Sequence, residues 1–454
     1  MRRKRQAVHF LLLFIVTPLL IAQQAISPAS SPPLTIDLRD AMARARKYGA
    51  QIESANIAAA LAREDRAQAK DATLPSLNAL NQFIYTEGNG TPSGVFVAND
   101  GVHIYNEQAV VHEELLSLAR RGEIRMAAAA EAVAKAKADV AARGLNATVI
   151  QDYYAIASAQ RKVQNAQASL AEARHFLDIT QKQERGGEAA HADVVKAQIQ
   201  AQQRRRDGQD AQLAVEKAKI ALAVLIFPSL RLDYAIVDDL SQIAVLPPLP
   251  ETGAQATASS PDLRAARASV TETRLGVSVA RYAYLPSFGL DFWYGIDANQ
   301  FEAISSEAQA TGRSTLPNYL VRNRQNLGYS ASATLIVPIW NWGAIHSKVK
   351  QAALKERQAE LDLTVAQKQL QAELAASYAE AEAALSQVSS LRSSADLSEE
   401  SLRLTLLRYQ SGEATALEVV DAQTTASQSR SAYDDGLLRY RIALGNLQSL
   451  TGNF

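Results

Sequence analysis

The residues best able to do chemistry are sparse and scattered. The six histidines, His9, His103, His112, His175, His191 and His346, fall at no spacing that would gather them into a metal site. The sequence contains no cysteine, which leaves no disulfide, no thiolate metal site and no lipid-bearing N-terminal cysteine. No serine, histidine and acid cluster, phosphate loop or dinucleotide fingerprint stands out. Beyond the first residue, Met42 and Met126 are too few for a relay of soft metal ions. No catalytic, cofactor-binding or metal-ligating residue is therefore assigned, and an enzyme is not expected. One polar pair has suggestive spacing: Glu418 and Asp421 stand three apart, on one face of any helix that carries them. In isolation such acids are ordinary solvated surface.

The charge balance narrows the partners. Lys and Arg together number 47, as do Asp and Glu. Residues 1–24 combine the basic head Arg2, Arg3, Lys4 and Arg5 with an apolar run from Val8 to Ala22, the pattern of a secretory signal peptide. Pro18 interrupts that run, which is short against the roughly 20 apolar residues a membrane-spanning helix needs. The signal is assigned to residues 1–22, with cleavage at Ala22 or alternatively Ala25. Without its four basic residues the chain is mildly acidic, so no global field recruits nucleic acid. No second long apolar run follows, and a membrane protein with that profile spans by β-strands.

The elements that would position any site form a repeat. Gly187-Glu188-Ala189 and Val194-Val195-Lys196-Ala197-Gln198 return 225 positions later as Gly412-Glu413-Ala414 and Val419-Val420-Asp421-Ala422-Gln423. Leu74-Pro75-Ser76 returns as Leu285-Pro286-Ser287 after 211 positions, so the second half gains 14 residues between these landmarks, placed at 302–325. Leu145, Val149, Asp152, Ile156, Ala159, Val163, Ala166, Leu170, Ala173 and Leu177 follow alternating steps of four and three, and Leu370 to Leu402 keep that register. Such a seam forces left-handed supercoiling around a neighbour. The return segments after Gly187 and Gly412 step the same way, so each half holds a helical hairpin turned at a glycine. Proline is absent from residues 117–185 and 343–411, and each stretch would run roughly 100 Å as one helix. Further helices are expected over 37–72 and 261–284, each stacked end-on above a return helix to give a wall of even height. The seams are rich in alanine and bury little apolar area, so oligomerisation is the natural remedy.

Between the helices lie strand-like runs. Phe288, Leu290, Phe292, Tyr294 and Ile296 alternate with small or polar residues, as do Leu327, Tyr329, Ala331, Ala333, Leu335 and Val337. Runs of about ten residues with aromatics suit lipid-facing strands. In the first half Leu77, Ala79, Phe83 and Tyr85 alternate, while the return run carries Glu107 and Glu113 on the face otherwise sent to lipid. Four strands cannot close a useful barrel, whereas three copies would supply twelve around a central pore.

With these residues in view, the chain resembles the TolC-like outer-membrane efflux family. The domain reading is a first repeat over 34–229 (helix, β-hairpin at about 74–116, coiled-coil hairpin 117–226), a linker and equatorial region over 230–260, and a second repeat over 261–454 (helix, β-hairpin at about 285–340, coiled-coil hairpin 343–450). The expected fold is mainly α with a transmembrane β-barrel. The resemblance implies a homotrimer with a twelve-stranded barrel in outer-membrane lipid and an α-helical tunnel in the periplasm, working with a periplasmic adaptor and an inner-membrane transporter. It implies adaptor contacts at the tips Gly187, Glu188, Gly412 and Glu413, where the glutamates are read as helix-start acids. It places Glu418 and Asp421 at the periplasmic entrance as a ring of cation-binding carboxylates. Asp193 and Tyr409 match two members of the family's closed-state latch, while Ala414 stands where the latch arginine would be, so gating is expected to rest mainly on coiled-coil packing. Arg204-Arg205-Arg206 reads as a solvated or adaptor-facing charge run. The implied function is the exit duct of a tripartite pump for small molecules such as drugs. The alternatives are the duct of a type I protein secretion system, or a non-channel coiled-coil adaptor of the envelope.

Overall fold

The computed structural model describes residues 34–86, 102–299 and 327–452. The signal segment 1–22 and the insertion at 302–325 lie outside the described residues. In chain order the elements are β1 (Leu34–Ile36), α1 (Leu38–Tyr48), α2 (Ala50–Asp71), β2 (Ser76–Thr86), β3 (Val102–Leu116), α3 (Leu118–Gly186), α4 (His191–Ile226), β4 (Tyr234–Ile236), α5 (Leu249–Ser259), α6 (Pro261–Tyr282), β5 (Ser287–Asn299), β6 (Leu327–Ile336), α7 (Ala344–Gln410) and α8 (Ala416–Thr451).

α3 and α7, of 69 and 67 residues, are the two full-length staves, each roughly 100 Å at 1.5 Å per residue. α3 packs against α2 and α4 on one side and against α6 and α8 on the other, while α7 packs against α6 and α8. The short helices α2 and α6 therefore continue the lines of the return helices α4 and α8. The seams that set this packing are buried or half-buried along their length, from Leu145, Val149 and Ile156 in α3 to Ala381, Ala384 and Val388 in α7. Small residues allow close approach: a Cβ on Gly445 of α8 would lie 2.7 Å from Ile150 of α3.

The helix expected over 37–72 is broken at Gly49. Gly49 is extended (ψ 114°) and its amide closes α1 on the Ala45 carbonyl. A Cβ there would lie 2.9 Å from Leu145 Cδ2, so the backbone passes hard against α3 and α1 turns off to pack on α3 and α4.

At mid-height β1 pairs in parallel with β4, Leu34 opposite Tyr234 and Ile36 opposite Ile236. The Tyr153 hydroxyl donates to the Val237 carbonyl at 2.8 Å and lies 3.3 Å from that of Ile36. Burial raises its pKa, so it remains a donor. Arg161 of α3 grips the linker with a two-pronged pair to Asp238 (2.7 and 3.1 Å), a bond to Ser241 Oγ (2.7 Å) and a contact to Asp434 of α8 (3.3 Å). Asn165 donates to the other Asp434 oxygen at 2.7 Å. The linker 230–260 is thus stapled to both repeats, and it contains β4 and α5, neither expected from its proline-rich sequence.

The remaining strands form one antiparallel sheet in the order β2-β3-β5-β6. Its register aligns Leu77, Val111, Phe292 and Ala331 in one row and Ala79, Ala109, Tyr294 and Tyr329 in the next. That face is apolar and unshielded, with Leu77, Phe83, Tyr294, Tyr329 and Leu335 all more than half exposed. Glu107, opposite Asn81 and Ile296, and Glu113, opposite Leu290, do fall on it. The ladder is irregular between Glu113 and Leu116. The opposite face carries Asn78, Gln108, His112, Asp291, Trp293, Ser330 and Ser332, with His112 Nδ1 2.6 Å from Asp291 Oδ1.

Candidate functional site

The end of the helical wall farthest from the sheet is closed by two tips built alike. Gly187 and Gly412 both take φ +79°, which only glycine adopts without strain. In the first tip Glu188 N–H donates to the Gln183 carbonyl at 2.8 Å and Gly187 N–H to that of Glu184 at 2.9 Å. In the second, Glu413 N–H donates to Arg408 at 2.8 Å and Gly412 N–H to Tyr409 at 3.1 Å. These paired bonds absorb the last carbonyls of α3 and α7. Glu188 and Glu413 therefore belong to the ends of the long helices. Their reading as helix-start acids is corrected: α4 and α8 begin at His191 and Ala416, and the acids of their first turns are Asp193 and Glu418.

Asp193 and Glu418 are repeat equivalents, 225 positions apart, but their surroundings differ. α8 opens with a full capping box, in which Thr415 Oγ1 accepts from Glu418 N–H and Glu418 Oε1 accepts from Thr415 N–H, each at 3.3 Å. Arg408 adds a contact of 3.6 Å to Glu418 Oε2 and donates to the Glu413 carbonyl at 3.0 Å. In α4 the capping position is Ala190, which offers no side-chain bond, so the Asp193 carboxylate is left to the N-terminal dipole. The first tip is instead braced by His191, whose Nδ1 lies 2.6 Å from Glu184 Oε1.

The two hairpins meet at this end around a small apolar cluster of Phe176, Ala197, Tyr409, Ala416 and Val419. The Tyr409 ring stands edge-on to Phe176 with centroids 5.1 Å apart. Its hydroxyl is 3.5 Å from Thr180 Oγ1, and Gln183 Nε2 is 3.5 Å from its carbonyl. Above the cluster lies an open cleft of about 770 Å³, lined by Glu188, Asp193, Lys196, Tyr409, Gly412 and Thr415 among others. The structure thus gathers Glu188, Asp193, Tyr409 and Gly412 around one cleft. Gly187, Glu413, Glu418 and Asp421 do not line it. Asp421 is exposed, and its repeat equivalent is Lys196, so its charge has no counterpart in the first hairpin.

No bond joins Tyr409 to Asp193 among the described residues; the tyrosine turns toward α3 instead. Arg408, Phe176 and Thr415 are the tip residues that the sequence reading missed. Thr415-x-x-Glu418 was visible as a capping box, whereas Arg408 reaches Glu418 only because the glycine turn folds the chain back. The arginine run is also corrected in part: Arg204 is largely buried and donates to Thr424 of α8 at 3.1 Å, while Arg205 and Arg206 are exposed. Among the described residues there is no group of three potential metal ligands, and no helix is long and apolar enough to cross a membrane.

Residues 253–453 match the family described as outer membrane efflux protein, a span running from α5 to the end of α8. No curated protein matches the chain. Among solved structures, a membrane protein from Pseudomonas aeruginosa is similar at 21% identity and TM-score 0.76, over 91% of this chain and 93% of that one. The Campylobacter jejuni CmeC outer membrane channel is similar at 15% identity and TM-score 0.75, over 92% and 85%. The open state of the Neisseria gonorrhoeae MtrE outer membrane channel is similar at 21% identity and TM-score 0.71, over 91% and 88%.

Proposed function

We propose that this chain, an outer membrane efflux protein by the sequence of its second repeat and with the fold of outer-membrane channels along nine tenths of its length, is one third of a trimeric export duct. The observation that carries the proposal is the matched pair of open edges. Among the described residues, β2 and β6 each lack a partner on one side of the sheet. In the wall of helices, α2 and α4 form one margin and α7 the other. β2 follows α2 and β6 precedes α7, so sheet and wall are open on the same two sides. Both margins of the wall expose apolar residues, Ile57, Leu61, Ile199 and Val224 on one and Leu354, Leu361, Leu397 and Leu407 on the other. An unpaired edge invites another strand, and unlike complementary edges close into a ring under cyclic symmetry. Three copies supply twelve strands, enough for a barrel with an open lumen.

The apolar face of the sheet then meets outer-membrane lipid and the helices enclose a periplasmic tunnel. The tips take the adaptor of an inner-membrane transporter, with the cleft at Glu188, Asp193 and Gly412 as its seat. Glu418 and Asp421 from three copies place six carboxylates at the entrance, where they attract cations. The cargo is small molecules such as drugs, consistent with the family's description as efflux.

The duct is tested by isolating outer membranes, looking for a heat-modifiable trimer, and recording its conductance in planar bilayers. A soluble periplasmic monomer without conductance would sink the proposal. A deletion strain that becomes drug-susceptible supports small-molecule export, whereas loss of a secreted polypeptide with unchanged susceptibility replaces it with protein secretion through the same duct.

A further inference from the structure

The polar face of the sheet carries one large aromatic ring that neither the barrel nor the tips require. Trp293 stands on the inner strand β5, opposite Val110 of β3 and Ser330 of β6. It is half-buried, yet among the described residues its indole N–H donates to no acceptor and its ring meets no other ring. Asp291 lies two residues back on the same face, about 7 Å away along the strand. His112 Nδ1 holds Asp291 Oδ1 at 2.6 Å, and Oδ2 has no partner among the described residues.

On the other side of the ring the sheet is bare. Gly295, two residues on from Trp293, pairs with Gly328 of β6. The backbone demands the first of these: Gly295 has φ +155°, and a Cβ there would lie 2.1 Å from the Glu107 carbonyl oxygen. It does not demand the second, since a Cβ on Gly328 would meet nothing within 4 Å. A strand glycine without a backbone cause often marks a place where a ligand comes close. Charge adds a sign to the recess. The four strands contain Glu107, Glu113, Glu114, Asp291 and Asp297 and no Lys or Arg, and around Trp293 the side chains of Asn78, Gln108, Ser330 and Ser332 are uncharged. Closing a ring of subunits sets a neighbour's β2 beside the edge of β6 and covers neither face of the sheet. The recess therefore stays open in the assembly.

We propose that Trp293, Asp291 and the bare floor at Gly295 and Gly328 form a lumenal site for flat aromatic cations, one in each subunit, which cargo meets as it crosses the barrel. The site rests on the channel reading and deepens it by naming the class of cargo the barrel favours. A cation is attracted both to the indole face and to the free carboxylate oxygen. Its planar rings lie against the glycine floor, where any side chain would hold them off. An anion finds no basic side chain on these strands, and a neutral aromatic gains nothing from Asp291.

The chain has three tryptophans, so Trp340→Phe combined with Trp342→Phe leaves Trp293 as the only indole. The full chain with these changes is reconstituted into vesicles, and its insertion is verified by conductance. Its fluorescence is titrated with N-methylquinolinium, a flat aromatic cation that quenches indoles, and with neutral quinoline. The site predicts saturable quenching by the cation, with half-effect at a concentration about fivefold or more below that for quinoline. Asp291→Asn should raise the cation's half-effect concentration about threefold or more and leave quinoline unchanged. Gly328→Val, which fills the floor without touching charge, should weaken both, and it decides the matter if Asp291→Asn fails to assemble. Quenching by the cation that rises linearly without saturating, or that matches quinoline's, overturns the site and leaves the channel standing. So does a response unchanged by both Asp291→Asn and Gly328→Val. An indole quenched by brominated lipid chains and not by aqueous iodide overturns the lumenal placement of this face. Failure to insert or conduct overturns the channel reading, and the site with it.

Discussion

In the proposed duct, replacing Tyr409 by alanine should open the periplasmic end, and replacing it by phenylalanine should not. Each hairpin is closed by its own glycine turn, so the entrance widens only if α7 and α8 part from α3 and α4 at the tips. Tyr409 spans that boundary: it is 5% exposed, and its ring abuts Phe176 of α3 at 5.1 Å. Truncating a buried aromatic to alanine costs ~3–5 kcal/mol, of which ~0.5–1.5 kcal/mol belongs to the ring pair. Taking ~3 kcal/mol per subunit, and a factor of ten for each 1.4 kcal/mol, the balance between closed and parted tips moves by about a hundredfold. The hydroxyl matters little. Its 3.5 Å separation from Thr180 Oγ1 exceeds the ~2.5–3.0 Å of a good O–H···O bond, so its loss should cost no more than ~0.5 kcal/mol, about twofold. The assay is single-channel conductance in planar bilayers, restricted to variants that still form the heat-modifiable trimer. Tyr409→Ala should raise the open probability or conductance sharply, Tyr409→Phe should leave it near the parent value, and Asp193→Ala should resemble Tyr409→Phe. An opening by Tyr409→Phe or Asp193→Ala as large as that by Tyr409→Ala would refute packing as the closure and restore a polar latch.

Four further outcomes follow from the helical wall, each read as the temperature at which the proposed trimers dissociate on gels. Gly445→Ala should lower it: the new methyl lies 2.7 Å from the fully buried Ile150, and overpacking at ~1–3 kcal/mol outweighs a helix-propensity gain of up to ~1 kcal/mol. Gly208→Ala, where a Cβ meets nothing within 4 Å, should raise it through that same gain of up to ~1 kcal/mol. Arg161→Ala should cost ~2–3 kcal/mol by leaving Asp434 short of a partner, less than for a fully buried pair because the Asp238 side chain is 35% exposed. Asp152, half-buried in the α3 seam, has its pKa raised above 3.8 by burial. The stability that this raised pKa contributes is present below about pH 4 and is lost as pH rises through the folded value. Asp152→Asn should therefore stabilise the trimer at pH 7 and lose that advantage in acid; an equal effect at both pH values would remove the ionisation argument.

Much of the wall was legible because its causes are periodic. Steps of four and three from Leu145 to Leu177 and from Leu370 to Leu402 name the buried stripe of each stave, and Gly187 and Gly412 mark turns that demand positive φ. The alternation in β5 and β6 likewise named the apolar face of the sheet. What escaped depended on contacts between residues distant in sequence. The break at Gly49 has no local breaker beyond one glycine and follows from the approach of Leu145. β1 and β4 are three residues each, too short to announce themselves, and exist because they pair with each other and are pinned by Tyr153. Arg408 looked like ordinary helix surface until the turn brought Glu418 beneath it.

The sequence by itself determined the repeat, the lengths of the staves, the positions of the tips and the two-faced strands, since each is a short-range pattern of hydrophobicity and backbone freedom. Tertiary structure decided which helix stands beside which, and that sheet and wall are left open on the same two sides. It also decided that Tyr409 faces Phe176 and Thr180 with no bond to Asp193. Those are matters of register between elements a hundred or more residues apart, where many pairings satisfy the same pattern and only the packing of particular side chains selects one.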